Sequence, residues 1–276
     1  MTDGKVLVVG ATGKVGRHVV AGLLAEGVEV RAMTTRDPAE VALPDGVEVV
    51  RGDVTAPDSL PLDGVGSVFL VWPLLSAELA PPVVDAIAKR AGRIVYLSAT
   101  SAGDDEVFHT RVERLIEASE ADWTFLRAGG FASNVLGWAD EIRSAGVVRD
   151  AYGAAARPLI HEKDIADVAV RVLVEEGHNG AKYALTGPEV STQSEQLRTI
   201  GEAIGRPLRW EEVSRGAARR QLLDNGWPAS FADGALDYWE RISRDPEPVS
   251  PHVAQVTGRP ARTFREWVDD HVADFR

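Results

Sequence analysis

The stretch from Lys5 to Leu24 constrains the fold more than any other part of the chain. An apolar run without helical spacing, Lys5 to Val9, leads into Gly10, Gly13 and Gly16. Val15, Val19, Val20, Leu23 and Leu24 then fall on one face of a helix. This succession predicts a buried strand, a tight turn and a helix, the opening of a dinucleotide-binding unit. Glycine is required there because a Cβ would block the turn, the approach of a pyrophosphate or the packing of helix on strand. The phosphates would rest on the free N–H groups and positive dipole end of the new helix. The candidate contacts are therefore Gly10, Thr12, Gly13, Lys14, Val15 and Gly16.

Downstream, short strands are expected at Glu29 to Met33, Val47 to Arg51, Val68 to Val71, Arg93 to Leu97 and Trp123 to Leu126. A short helical turn follows Thr55, and helices are expected at Pro81 to Ala91 and Phe108 to Ser119. The resulting order, β-α-β-β-β-α-β-α-β, predicts an α/β fold with a doubly wound, Rossmann-type parallel sheet. Residues 1–134 would form this core. Residues 135–276 would form a smaller, mostly helical substrate lobe, with some segments returning to the core and both halves sharing one structural unit. Its expected helices span Val135 to Ala145, Lys163 to Glu175, Thr192 to Ile204, Arg215 to Asp224, Phe231 to Ile242 and Thr263 to His271. Strands are expected at Pro158 to His161, Lys182 to Leu185 and Leu208 to Glu212.

Composition narrows the function. With 276 residues and 45% hydrophobic content the chain can bury a large core. It has no cysteine, which excludes disulfides, thiolate metal sites and cysteine nucleophiles and suits a cytoplasmic location. The first strand begins too early to leave room for a signal peptide, and the apolar run near Val65 to Leu75 is too short to span a bilayer. A net charge of −12 argues against nucleic acid and anionic membrane surfaces as partners. No His or carboxylate pattern has ligand spacing, so no metal is expected, and no G-x-S-x-G points to a serine hydrolase.

Where a dinucleotide site needs a group for the adenosine ribose, the second strand ends Thr34-Thr35-Arg36. A guanidinium there can pair with a 2′-phosphate, with Lys14 as a second cation, which favours NADP(H) over NAD(H). The competing features are Asp37, which could turn toward a ribose, and a plain solvated role for Arg36. Asp53, followed by Val54, can accept from the adenine amino group or can form an Asx turn. Val71-Trp72-Pro73 and Ser98-Ala99-Thr100 end the strands expected to flank the nicotinamide, with Trp72 as a wall of the cleft. Gly130 permits close approach to the carboxamide. Phe131, and Trp138 among the aromatics of the second half, are candidates for the substrate pocket, together with Trp72 and Thr100.

Several motifs together resemble the NmrA-like, NAD(P)H-binding group of atypical short-chain dehydrogenases/reductases. They are the loop Gly10 to Gly16, the segment Leu126-Arg127-Ala128-Gly129-Gly130-Phe131-Ala132-Ser133-Asn134, and Asp164-Ile165-Ala166. Tyr183 to Glu189 and Val256 to Phe264 are similar to the branch typified by ergot-alkaloid dehydrogenases, which reduce iminium-type intermediates. Ordinary members of the wider superfamily use a Tyr-x-x-x-Lys pair, from which this chain departs. Aligned on Glu113, those two positions hold Asp105 and His109. His109 reads either as a replacement acid, since an unperturbed imidazole titrates near pH 6.5, or as an ordinary histidine in the first turn of a helix. Ser98 and Thr100 are the remaining candidates for polar contact with a substrate.

These readings converge on an NADPH-dependent reductase of a small, apolar, aromatic or conjugated acceptor. An activated ketone (a ketoreductase substrate), a quinone or an iminium ion fits, in secondary metabolism and by direct hydride transfer without the usual pair. The protein would act as a monomer or a homodimer. The rival is a non-catalytic NADP(H)-sensing regulator acting through a protein partner; an isomerase or epimerase is a third reading.

Overall fold

The computed structural model describes residues 4–104 and 107–276. In chain order the first half holds β1 (Lys5–Val9), α1 (Gly16–Ala25), β2 (Val30–Thr34), β3 (Glu48–Arg51), β4 (Val65–Val71), α2 (Ala80–Ala88), β5 (Arg93–Ala99), α3 (Phe108–Glu117) and β6 (Asp122–Ala128). The second half holds α4 (Ala139–Ala145), β7 (Val147–Asp150), β8 (Ala156–Arg157), α5 (Glu162–Val174), β9 (Ala181–Leu185) and β10 (Ser191–Thr192). It continues through α6 (Gln193–Ile204), β11 (Arg209–Glu212), α7 (Arg215–Asp224), α8 (Ala229–Ile242), α9 (His252–Thr257) and α10 (Phe264–Asp270).

Seven strands form one sheet in the order β3-β2-β1-β4-β5-β6-β9, and every neighbouring pair is parallel. The strands that are covered on both faces read as continuous apolar runs, as in Leu7 and Val8 of β1 and Phe69 and Leu70 of β4, all fully buried. The chain winds one way from β1 through β2 to β3 and the other way from β4 onward. The reversal between β1 and β4 is the point at which doubly wound sheets bind ligands, beyond the carboxyl ends of the strands.

The chain divides into two compact units. The first comprises Met1–Gly129, Glu162–Leu185 and Pro251–Pro260. Its core gathers Leu7, Leu70, Ile94, Tyr96, Ile116 and Phe125. The second comprises Gly130–His161, Thr186–Ser250 and Ala261–Arg276, with a core built on Ile142, Leu197, Ile200, Trp267 and Phe275. It contains two small two-stranded sheets, β10 with β8 and β11 with β7. Capping boxes start α6 at Thr192 with Glu195 and α10 at Thr263 with Glu266.

Three local expectations need correction. The helix expected from Val135 is a 3-10 segment, Ala132–Trp138, and only then α4. Ser133, Asn134 and Gly137 are poor helix formers and let the tighter winding persist. The strand expected at Pro158 to His161 lies earlier, at β8, because Pro158 cannot donate to a ladder; Ile160 makes only an isolated bridge to Phe131. The expected list also lacks β7, β10 and α9, which are too short for a periodicity to show.

Candidate functional site

The glycine turn is built on close approach. Gly10 has φ +77°, and a Cβ on it would stand 3.2 Å from Cβ of Val71, so the ends of β1 and β4 meet there. A Cβ on Gly16 would overlap the carbonyl oxygen of Gly10 and lie 2.8 Å from its carbon. The turn is closed by the Gly13 N–H donating to Gly10 O at 2.9 Å. Helix α1 then begins with no side-chain cap at Val15. In that first turn the Arg17 and His18 N–H groups donate to Gly13 O at 3.2 Å and Val15 O at 2.9 Å, and no side-chain cap fills the space a phosphate would take at the helix start. These residues fit a dinucleotide.

At the end of β2, Arg36 is exposed, and its backbone N–H donates to Thr34 Oγ1 at 3.1 Å. Among the described residues no ion pair holds its guanidinium. Asp37 is occupied, since its carboxylate accepts from Ala39 N at 3.0 Å and caps the 3-10 turn Pro38–Glu40. Asp53, beyond β3, makes the Asx turn: Oδ1 accepts from Thr55 N at 2.8 Å. The backbone and hydroxyl hydrogen bonds of Thr55 hold its carboxyl below the usual range. Val54 beside it is buried.

Beyond β4, Trp72 is 5% exposed, packs in the first unit's core and donates its indole N–H to Ser76 O at 2.8 Å; Pro73 is exposed. At the end of β5, Ala99 is half-buried and the exposed Thr100 donates its backbone N–H to Ala128 O at 3.0 Å. Ser98 is buried, and its hydroxyl donates to Glu113 Oε1 at 2.6 Å. Glu113, on α3, is 2% exposed and also receives both arms of Arg127 from β6, Nε at 3.0 Å and Nη2 at 2.5 Å. Ser98, Glu113 and Arg127 therefore form one buried network at the carboxyl ends of two neighbouring strands. The carboxylate in turn pushes the Arg127 pKa up.

His109 lies in the first turn of α3, its Nδ1 2.7 Å from the hydroxyl of Tyr96. Tyr96 is fully buried in β5, and burial together with the Glu113 charge raises its pKa, so the phenol stays protonated. Burial lowers the His109 pKa to about 4, against a smaller opposing effect of Glu113. At neutral pH His109 is an uncharged imidazole, and the reading of it as a protonated acid does not match this environment. Asp105, the other aligned position, lies outside the described residues.

In the second unit, Gly130 O accepts from Ile160 N at 2.9 Å and Phe131 is half-buried. Trp138 is packed edge-on against Trp210 with ring centroids 5.7 Å apart. Sequence reasoning used Glu113 only as a landmark and passed over Tyr96. The available signal was a tyrosine within the apolar run of β5, where a buried hydroxyl needs a partner. Among the described residues no group of His, Asp or Glu is placed to hold a metal ion, and no helix is long and apolar enough to cross a membrane.

Over residues 10–176 the sequence matches the NAD(P)H-binding family. A (4-alkanoyl-5-oxo-2,5-dihydrofuran-3-yl)methyl phosphate reductase from Streptomyces griseus is 42% identical over 98% of this chain and 99% of its own length. An NAD(P)H azoreductase from Xenophilus azovorans is 32% identical, covering 98% of this chain and 99% of its own. Among solved structures, an NADPH-dependent quinone oxidoreductase from Escherichia coli has a TM-score of 0.80 at 26% identity, covering 96% of this chain and 99% of its own.

Proposed function

The chain belongs to the NAD(P)H-binding family and is an NAD(P)H-dependent oxidoreductase of small molecules, and we propose that it reduces activated, conjugated acceptors with NADPH. The observation that carries this reading is the neutral imidazole of His109, fixed by Tyr96, at the position where a lysine would assist a catalytic tyrosine. Without a strong protein acid, the favoured acceptors are those whose reduced form is stable before it is protonated. Quinones, iminium ions and alkenes bearing two carbonyl groups on one carbon qualify. The S. griseus relative's substrate, an alkanoyl butenolide bearing a phosphate ester, is of the last kind and is our candidate for the substrate class.

The bound cofactor would supply the hydride. In this reading the first unit holds it. Gly10, Thr12, Gly13, Lys14, Val15 and Gly16 form the pyrophosphate turn, and Asp53 and Val54 lie beside the adenine. Val71, Pro73, Ser98 and Ala99 border the nicotinamide. The Ser98–Glu113–Arg127 network fixes the ends of β5 and β6, and much of the rate of hydride transfer comes from such positioning. Thr100 is a proposed substrate contact of the first unit, whereas Trp72, buried in that unit's core, is not; within the second unit the candidates are Gly130, Phe131 and Trp138.

NADPH is preferred over NADH in this proposal because Arg36 lacks an ion pair while Asp37 is engaged in its cap. The test is NADPH oxidation against quinones, cyclic imines, polycyclic aromatic ketones and phosphorylated butenolides. Turnover of at least one class is expected. Tight cofactor binding with turnover of none would replace the reductase by an NADP(H)-sensing regulator. Arg36→Ala should weaken NADPH about ten- to a hundredfold and leave NADH nearly unchanged, as expected for loss of a charge-assisted pair of about 1.5–3 kcal/mol. Equal losses for both cofactors would remove the phosphate assignment.

A further inference from the structure

Arg157, the last residue of β8, is half-buried. Its guanidinium lies against the backbone of Gly130: a Cβ there would stand 2.6 Å from Cζ and Nε and 2.7 Å from Nη1. The ring of Tyr238, on α8, has its centroid 5.7 Å from Cζ. Burial raises the pKa of the Tyr238 hydroxyl, the Arg157 charge opposes that, and the Glu247 charge adds to it. All four residues belong to the second unit.

The unusual feature is the missing counter-ion. The buried guanidinium of Arg31 is answered by Glu48 at 3.0 Å, and the half-buried one of Arg127 by Glu113 at 2.5 Å. Among the described residues no carboxylate forms such a pair with Arg157. Partial burial of an unpaired cation is unfavourable. Carboxylates are plentiful in a chain of net charge −12, so their absence at this position is not a matter of supply.

A guanidinium presents five donors in a planar fork that matches phosphate oxygens, and a contact with the face of the Tyr238 ring uses none of them. Gly130 follows the end of β6 by two residues, on the stretch of chain that leaves the carboxyl edge of the sheet. We propose that Arg157, held by Gly130 and Tyr238, binds the phosphate monoester of the substrate. The proposal rests on the reading of the protein as a reductase of a phosphorylated conjugated acceptor and assigns the residue that recognises the phosphate. Glu247 then limits affinity by repelling the same anion.

The test uses phenyl phosphate, which carries a monoester and nothing reducible, titrated calorimetrically into the full chain loaded with NADP⁺. Wild type should bind it, and Arg157→Ala should bind at least tenfold more weakly. Arg157→Lys should be intermediate, because a point charge does not replace the fork. Gly130→Ala should resemble Arg157→Ala, since its methyl displaces the guanidinium, and Glu247→Gln should bind more tightly than wild type. No binding by wild type, unchanged binding by Arg157→Ala, or benzoate bound as tightly as phenyl phosphate would each overturn the proposal. Failure of the reductase reading is seen separately, as no NADPH oxidation with any of the four acceptor classes, and leaves the titration untouched.

Discussion

Glu113 in the first unit and Asp150 in the second are both carboxylates withdrawn from water, in opposite surroundings. Glu113 meets a guanidinium from two sides and a hydroxyl from a third, all within 3.0 Å. Asp150, at the end of β7, accepts one backbone N–H from Ala151 at 2.7 Å and is approached by the charges of Glu141 and Glu212. Burial, with smaller pushes from those two carboxylates, raises its pKa to about 6. One carboxylate ties two strands of the parallel sheet together, while the other holds a negative charge against its neighbours. Burial of a carboxylate therefore says little about stability until its partners are counted.

The comparison is tested most severely by removing Glu113. Glu113→Ala would leave Arg127 and the Ser98 hydroxyl without their acceptor and should cost about 3 kcal/mol, read as a fall in the urea unfolding midpoint. Glu113→Gln keeps an acceptor for Ser98 and should cost less. If both variants were as stable as wild type, the network would be incidental to the sheet.

Gly16→Ala comes next. The methyl would overlap the Gly10 carbonyl, so either the turn opens or α1 shifts, at a cost of about 1–3 kcal/mol. NADPH affinity should fall more steeply than stability does, because the same shift moves the phosphate-binding N–H groups. A variant that loses stability but keeps its NADPH affinity would remove the glycine turn from the cofactor site.

The two units also differ in how much of them the sequence reveals. In the first, each decisive feature is local. Gly10, Gly13 and Gly16 stand between a run of β-branched residues and a helical stripe, and strand-length apolar runs mark β4 and β5. The order of elements follows from those signals. The hydrogen bond between Tyr96 and His109 joins residues 13 apart in sequence, and no period announces it. In the second unit β7 pairs with β11 across some sixty residues, with four residues in each strand. Such strands exist because of their partners, and propensity read along the chain does not find them. Arg157 was missed for the same reason: what distinguishes it is the company of Gly130 and Tyr238, drawn from distant parts of the chain.

The smallest expected effect carries the most specific sign. The folded-state pKa of Asp150, about 6, lies above its ordinary value of 3.8, so between those limits the folded chain binds more protons than the unfolded one. Its contribution to stability is present at low pH and is lost as pH rises through 6. His109 behaves in the opposite way. With a folded pKa of about 4 against 6.5, it favours the folded state above pH 6.5 and loses that contribution as pH falls toward 4. Asp150→Asn keeps the acceptor for Ala151 and removes the charge. It should therefore stabilise the protein by about 1–2 kcal/mol at pH 7.5, less than the full shift because the group retains some contact with solvent. The gain should shrink steadily as pH falls toward 3.8. His109→Phe should instead flatten the loss of stability between pH 6.5 and 4 and change little at pH 7.5 beyond the lost bond to Tyr96. Urea midpoints across this range separate the two residues. A gain for Asp150→Asn that did not vary with pH would show that packing, and not the buried charge, sets the contrast between them.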